Sequence, residues 1–401
     1  MRRKLSVVGR GTAGCLAIIE YANNFALDEI EWIYDPDIPT ASVGEGTTHL
    51  IPEFLTINMG MTHADAATFN STFKTGIRKT GWNGVGDYRH SFAVGSCGMH
   101  FSAIDFQKHV FNKFKENSSV KILEKNVDID SIDSDYIMVC SGSKPDKDES
   151  YTAEYIPVNA AYVKGYEWEH PYITETLCIA SAHGWVFVIP LQNRCSFGYI
   201  YNKDITTYSE MSSDFDKVIN RYKDIFKLKS QIAEQSIAFS NYLRKENFTD
   251  RIVYNGNASF FLEPLEATST AIANQINTQA LTLWDHTDIL TAEDCNNNYL
   301  STLTEIEAMI CLHYFAGSKY DTEFWKFATS IAEENIRKNL STHNDFSEIV
   351  VNSCLGNYTD PSVYFYRDVG TWNIGSYIQN IYGLGIRDRI LEIAEEGGWH
   401  V

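Results

Sequence analysis

Residues 5–35 read LSVVGRGTAGCLAIIEYANNFALDEIEWIYD, and the fold turns on this stretch. LSVVG is a short β-rich run, TAGCLAIIEYANNF has the length and composition of a helix, and EIEWIYD is β-rich again. Together they predict a βαβ unit. Gly9, Gly11 and Gly14 fall as G-x-G-x-x-G between the first strand and the helix. Missing side chains at those positions let the backbone approach a pyrophosphate at the helix N-terminus. Asp35 closes the second strand at the distance expected of an acid that binds a ribose hydroxyl. Strand, helix and acid in register point to a Rossmann-type dinucleotide site, although the motif does not separate FAD from NAD.

Working outward, the chain of 401 residues is 44% hydrophobic and carries a formal net charge of −19. That is enough apolar residue for a large core, in two modules or one extended enzyme domain. The charge argues against a nucleic-acid partner or an anionic membrane surface, since phosphate binding needs a basic stripe. The basic start MRRKLSVVGRGTAG is broken by glycines and reads as folded chain, and no apolar run is long enough to span a bilayer. A cytoplasmic protein is expected. The eight cysteines lack both zinc spacing and the density of a disulfide scaffold, so reduced, buried thiols are expected. Cys311 and His313, though close, are read as structural, and no metal site is expected.

The pattern divides the chain into four regions. Residues 1–150 hold the nucleotide-binding unit, with a glycine-, threonine- and aromatic-rich stretch over 42–100 expected to form irregular structure and short strands around a ligand rather than a packed bundle, an amphipathic helix in IDFQKHVFNKFKE and a buried strand in SDYIMVCSG. Residues 151–245 are β-rich, with a helix expected from about Asp214 to Ile225, and read as a substrate-side sheet inserted into the nucleotide fold. Residues 246–285 return to the nucleotide fold as strand, turn and long helix. Residues 286–401 are mainly helical. No repeat or low-complexity linker separates these regions.

Several segments carry a more specific likeness. GRGTAG (9–14), YDPDIPTASVGEGTTHLIP (34–52), STFKTGIRKTGW (71–82), YRHSF (88–92), SAHGWVFVIPLQNR (181–194), FLEPLEATST (261–270) and LHYFAGSKYDTEFW (312–325) resemble, in order and spacing, segments of the flavin-dependent tryptophan halogenases. The resemblance implies an α/β flavoprotein, α+β in overall character: a Rossmann-type FAD-binding domain, an inserted substrate-side β-sheet and a helical C-terminal region. It also implies reduced FAD supplied by a separate reductase, molecular oxygen and a halide ion as reactants, and leaves a homo-oligomer open. Flavin contacts are assigned by it to Gly9, Gly11, Thr12, Ala13, Gly14, Asp35, Gly44, Glu45, Asn257 and Thr270. Halide binding goes to the backbone amides of Thr268 and Ser269, and substrate contact to His90 and Phe92. Aligning on the aromatic-lysine pair selects Lys74 as the active lysine and leaves Lys79 outside the site.

The chain departs from the family pattern in places. Phe187 replaces the second tryptophan of the W-x-W-x-I-P element, with Trp185, Ile189 and Pro190 retained. Gly256-Asn257 stands for Gly-Asp, and Ala267-Thr268-Ser269 follows Glu266 in place of Ser-Thr-Gly. The chain is also shorter than typical tryptophan halogenases, which favours a small electron-rich aromatic substrate over free tryptophan. On this reading hypohalous acid is generated at the halide site and relayed by Lys74, with Glu266 orienting the halogen or accepting the ring proton. An FAD-dependent aromatic monooxygenase and a non-catalytic flavin-binding protein are the competing readings.

Overall fold

The sequence LSVV forms its strand because four successive apolar or small residues are buried on both faces, as a central parallel strand requires. In the computed structural model, which describes residues 3–39, 44–83, 86–93, 95–169, 173–285, 289–360, 368–369 and 372–400, this is β1 (Lys4–Val8). Helix α1 (Thr12–Asn24) and β2 (Glu29–Tyr34) complete the expected unit.

Residues 44–102 hold more order than the sequence predicts. Five short strands, β3 (Gly44–Gly46), β4 (Thr72–Lys74), β5 (Gly76–Thr80), β6 (Asp87–Ser91) and β7 (Gly98–Ser102), surround two helices, α2 (Leu50–Met59) and α3 (His63–Thr68). The short strands agree with the expectation for this stretch, whereas helices α2 and α3 depart from it. Residues 40–43 of the 34–52 segment lie outside the described residues. The amphipathic helix follows as α4 (Ala103–Lys115), burying Phe106, Val110 and Phe114, and leads to β8 (Val120–Glu124) and β9 (Tyr136–Val139).

The middle of the chain supplies β10 (Ser150–Thr152), β11 (Ala160–Trp168), β12 (Glu175–Ser181), β13 (Gly184–Pro190), β14 (Cys195–Tyr201), α5 (Tyr208–Tyr222), β15 (Leu228–Ala238), β16 (Tyr242–Arg244) and β17 (Ile252–Tyr254). Helix α5 begins six residues before the expected Asp214, because Thr207 and Glu210 form a capping box that fixes its start. Strand β17 joins a five-stranded parallel sheet in the order β17-β9-β1-β2-β8. From β1 the chain moves outward on one side through β2 to β8 and then crosses back to β9 on the other side of β1, a reversal of strand order at which ligands bind in open parallel sheets.

The second large sheet runs β15-β11-β14-β13-β12-β5-β6. It is antiparallel except where β12 pairs in parallel with β5, with Cys178 opposite Lys79. This sheet therefore draws two strands from the first 100 residues, and a division at residue 150 cuts across it. Strand β13 is buried along its whole length because alternate residues face different layers. Trp185, Phe187 and Ile189 join the main core, whereas Val186 and Val188 pack with Met211 and Phe215 of α5. A small antiparallel sheet, β3-β7-β4, stands between the two large ones in sequence and carries Lys74.

The C-terminal region is helical as expected: α6 (Ser269–Asp285), α7 (Ala292–Ala316), α8 (Glu323–Thr342), α9 (Asp345–Leu355), α10 (Ile374–Gly383) and α11 (Arg387–Glu396). Among the described residues no helix is long and apolar enough to cross a membrane. All eight cysteines are free thiols, seven of them buried.

The β12–β13 turn is held by one buried carboxylate. Asp214 on α5 accepts from Ser181 Oγ at 2.6 Å, Ala182 N at 2.8 Å and Tyr199 Oη at 2.6 Å. Removing it leaves buried donors unsatisfied, so Asp214→Ala should lower unfolding free energy by about 3 kcal/mol. Urea denaturation checks this; a loss below about 1 kcal/mol would mean the turn is held by packing alone.

Candidate active site

A cavity of about 860 Å³ opens at the C-terminal ends of β1, β2, β9 and β17. The glycine motif forms one wall for three different steric reasons. At Gly9, with φ +113°, a Cβ would lie 2.1 Å from the Cys140 carbonyl oxygen. At Gly14 it would lie 2.2 Å from the carbonyl of Gly9. At Gly11, the N-cap of α1, φ is an ordinary −69° and no atom lies within 4 Å of the position, so a side chain there would enter the cavity. Gly11 leaves the first turn of α1 without a side-chain cap, and those N–H groups are free to bind an anion.

Of the residues expected at the flavin, Gly9, Gly11, Thr12, Ala13, Asp35, Glu45, Asn257 and Thr270 all line this cavity. Gly14 and Gly44 do not: Gly14 packs on Gly9, and Gly44 pairs with Ser102 in the small sheet. Asp35 accepts from Asn126 Nδ2 at 2.8 Å and from the Asp37 amide at 2.9 Å, which fixes its carboxylate at the rim. Glu45 is half-buried and accepts from Thr12 Oγ1 at 2.8 Å; desolvation pushes its pKa up to about 7. The Thr270 hydroxyl is buried without a hydrogen-bond partner among the described residues. Sequence reading did not foresee Arg10, whose guanidinium lies over Tyr34 at 4.3 Å and Phe111 at 5.0 Å, nor Lys125, Lys144 and Arg244 in the wall. A side-chain-free helix start, four cations and an unpaired hydroxyl fit a diphosphate-bearing dinucleotide such as FAD.

The same turn that opens α6 onto this cavity points Glu266 the other way. Ser269 and Thr270 line the cavity, while Glu266 is buried in a cluster of side chains from four other elements. Lys79 from β5 donates to Glu266 Oε1 and also contacts His313 Nε2. His90 Nδ1 from β6 donates to Oε2 at 2.9 Å, and His313 Nε2 from α7 lies 3.1 Å from Oε1. Asn380 Oδ1 from α10 accepts from Lys79 at 2.8 Å. Burial alone would raise the Glu266 pKa, but Lys79 and His90 hold it well below the usual carboxylate range. Burial and the Lys79 charge lower the His313 pKa, so its ring is neutral, with Nδ1 donating to the Met309 carbonyl at 2.9 Å and Nε2 free to accept.

Glu266 reaches this position through left-handed backbone, with φ +70°, and Ala267 follows at φ +53°. Each such non-glycine residue costs about 1–3 kcal/mol and persists only where its surroundings hold it. The buried ion pair and its histidine partners supply that hold.

Lys74 stands beside the cluster without joining it. It is 1% exposed, feels the charge of Glu266, and makes no hydrogen bond from Nζ among the described residues. Its neighbours are Gly46, where an added Cβ would lie 3.4 Å from Nζ, and the ring of Phe92, whose centroid is 5.5 Å from Nζ. Burial is the main cause of a pKa lowered to about 8, with the Lys79 charge adding to it and Glu266 opposing. Strand β3 thus touches both chambers, Glu45 facing the cavity and Gly46 facing Lys74. The halide candidates Thr268 and Ser269 sit between Glu266 and the cavity wall.

Two expectations change. Lys79, left outside the site by the sequence, is the direct partner of Glu266. His90, expected to face a substrate ring, is 2% exposed and bonded to Glu266, so it orients the carboxylate; Phe92, half-buried beside Lys74, keeps a place suited to substrate contact. His313 was read as structural with Cys311. Cys311 donates to the Tyr155 carbonyl, and His313 lies against the Lys79–Glu266 pair.

The chain matches the tryptophan halogenase family over residues 4–151 and 130–395. The chain belongs to the tryptophan halogenase family. Among curated relatives it is 23% identical over 159 residues to the tryptophan 6-halogenase SttH of Streptomyces toxytricini, covering 38% of this chain and 28% of that protein. It is 24% identical over 223 residues to the tryptophan 6-halogenase ThaL of Streptomyces albogriseolus, covering 53% of this chain and 40% of that protein. These matched stretches span less than half of either relative. The fold extends further: a flavin-dependent halogenase from Xanthomonas campestris aligns with a TM-score of 0.75 at 18% identity, covering 99% of this chain and 95% of the other. The halogenase BrvH from Brevundimonas aligns with 0.74 at 18% identity, covering 100% and 98%.

The family's tryptophan element is now interpretable in this chain. Trp185 Nε1 donates to Glu263 Oε2 at 3.0 Å, as does Tyr314 Oη at 2.9 Å, while the other oxygen of Glu263 is buried without a partner. Phe187, which stands where the family has its second tryptophan, lays its ring on Gly198, where a Cβ would come within 2.1 Å.

Two predictions follow from this geometry. Gly11→Val should fold with unchanged thermal stability yet weaken FAD binding by at least about 100-fold, near 3 kcal/mol. Unchanged affinity in a flavin fluorescence titration would remove the diphosphate assignment. The second concerns Glu263, whose pKa burial raises from 4.5 to about 8. Between those values the folded state holds a proton that the unfolded state has released, so stability falls as pH rises. Glu263→Gln removes that dependence and should gain stability relative to the parent from pH 5 to pH 8 in urea unfolding. A constant difference across that range would show that Glu263 is ionised in the fold.

Proposed function

We propose that this protein is an FAD-dependent halogenase that uses reduced FAD, oxygen and a halide ion to halogenate a small electron-rich aromatic molecule. The observation that carries the reading is the pairing of a dinucleotide cavity with a buried, unbonded lysine amine on the far side of the same two backbone segments, β3 and the turn before α6. When bound and reduced, the flavin would activate molecular oxygen, the oxidant that converts halide to hypohalous acid.

The protein's own groups do the rest. Gly9, Gly11 and the start of α1 hold the diphosphate, Asp35 the ribose, and Thr270 and Asn257 the nearer side of the cofactor. First-turn N–H groups at Thr268 and Ser269 face outward from the N-terminus of α6, a suitable place for a halide. Lys74 receives the oxidised halogen. Its amine, buried and without an acceptor, is available at neutral pH to bond or bind it. Phe92 packs the substrate ring near Lys74. Glu266, held ionised, accepts the ring proton or polarises the halogen carrier. Reduced flavin would come from a separate reductase, as the likeness to the flavin-dependent halogenases implies.

Lys74→Ala should leave FAD binding and flavin oxidation within about twofold and lower halogenated product by at least about 1000-fold, the scale of removing a group used in the chemical step. The assay is mass spectrometry of an indole, phenol and aniline panel with reductase, oxygen and bromide, where product carries the bromine isotope doublet. A halide-independent oxygenated product would assign the protein to the aromatic monooxygenases. Absence of any turnover would leave a flavin-binding protein.

A further inference from the structure

We propose that Lys79 is a positioning residue which, by occupying Glu266, leaves the amine of Lys74 unpaired and able to act as a nucleophile. The inference rests on the halogenase reading for its use but on geometry alone for its content.

Two buried lysines and one carboxylate share this chamber, and the hydrogen bonds allot them unequally. Lys79 is 0% exposed and meets three acceptors, Glu266 Oε1, His313 Nε2 and Asn380 Oδ1. Three acceptors match the three N–H bonds of an ammonium, so no donor is left over. Tyr88 Oη donates to the same Asn380 oxygen at 2.9 Å and its ring lies under Lys79 Nζ at 5.6 Å. His90 fills the second oxygen of Glu266. With both carboxylate oxygens taken, Lys74 has no anion to bind. What faces it is Glu266 from the turn before α6, Lys79 from β5, Cys178 from β12, His100 from β7 and the Phe92 ring. His100 offers no acceptor either, because Thr72 and Thr176 hydroxyls meet its two ring nitrogens at 3.1 and 2.8 Å.

An unpaired buried amine with a like charge nearby gives up its proton at a lower pH than a free lysine, so a larger share of it is neutral. The direction agrees with the Lys74 pKa lowered to about 8 by burial above all, against the opposing pull of Glu266, with a smaller lowering from Lys79. A neutral amine has a lone pair that an ammonium lacks. It can form an N–halogen bond as the oxygen–halogen bond of hypohalous acid breaks, with one amine proton leaving on the departing hydroxide as water. Without Lys79 the carboxylate would be free to pair with Lys74 and hold it as an ammonium, which can only hydrogen-bond the acid.

The test is a pH titration by NMR of FAD-loaded protein carrying 13C,15N-labelled lysine, with Lys74 assigned by its loss in Lys74→Ala. In the parent protein Lys74 should titrate near pH 8. In Lys79→Met its midpoint should rise by at least 1 pH unit, and in Lys79→Arg, which keeps the charge and donors, it should stay low. A midpoint near that of a free lysine, about 10.4, in the parent protein would overturn the proposal. So would an unchanged midpoint in folded Lys79→Met. If Lys79→Met does not fold, the parent and Lys79→Arg midpoints decide alone. None of these readouts requires turnover, so a failed halogenation assay and a failed titration are separate results.

Discussion

Everything at the centre of this protein depends on keeping one carboxylate ionised in a place without water. Glu266 is buried, and its backbone is left-handed at two successive positions. Neither condition is favourable alone: an unpaired buried carboxylate would take up a proton, and the strained turn would relax. Lys79 and His90 reverse the first, and fixing the side chain from three directions, with His313 packed against it, opposes the second. Because the three partners come from β5, β6 and α7, the carboxylate also ties the large sheet to the C-terminal helices. The same turn then starts α6, whose first residues enter the cofactor cavity. One short segment thereby sets the relation between nucleotide site and lysine chamber.

The first fold element was readable because its determinants are local. A buried strand, glycines at three fixed positions and an acid after the next strand occur within 31 residues, and each has a steric or hydrogen-bonding reason visible in the structure. Pairing over long distances was not readable in this way. The large sheet takes β5 and β6 from the first 100 residues and sets β5 parallel to β12, so a boundary drawn from composition at residue 150 runs through a single sheet. The helices α2 and α3 lay hidden in a stretch whose glycines, threonines and aromatics point to loops.

The site was legible in its ingredients more than in its connections. Lys74 and Glu266 were singled out through family likeness, yet the residue that touches Glu266 is Lys79. In one continuous strand, residues five apart face opposite sides. Here the chain leaves the small sheet after Lys74 and enters the large sheet at Gly76, where a Cβ would come within 2.4 Å of the His90 carbonyl oxygen. That break turns both lysines into one chamber, and no periodicity argument would find it. His313 sits in a 25-residue helix among apolar neighbours, where a single histidine carries no spacing signal. Its one clue was that 312–325 lies in a segment resembling the family.

The central claim is that the turn carrying Glu266 joins a flavin cavity to the lysine chamber, with the halide between them. A crystal structure of the protein with FAD and bromide, using the anomalous signal of bromine, tests it most directly. The account predicts flavin diphosphate against Gly11 and the start of α1, and a bromide within hydrogen-bonding reach of the Thr268 and Ser269 amides. Flavin bound elsewhere, or a bromide site remote from that turn, would contradict it.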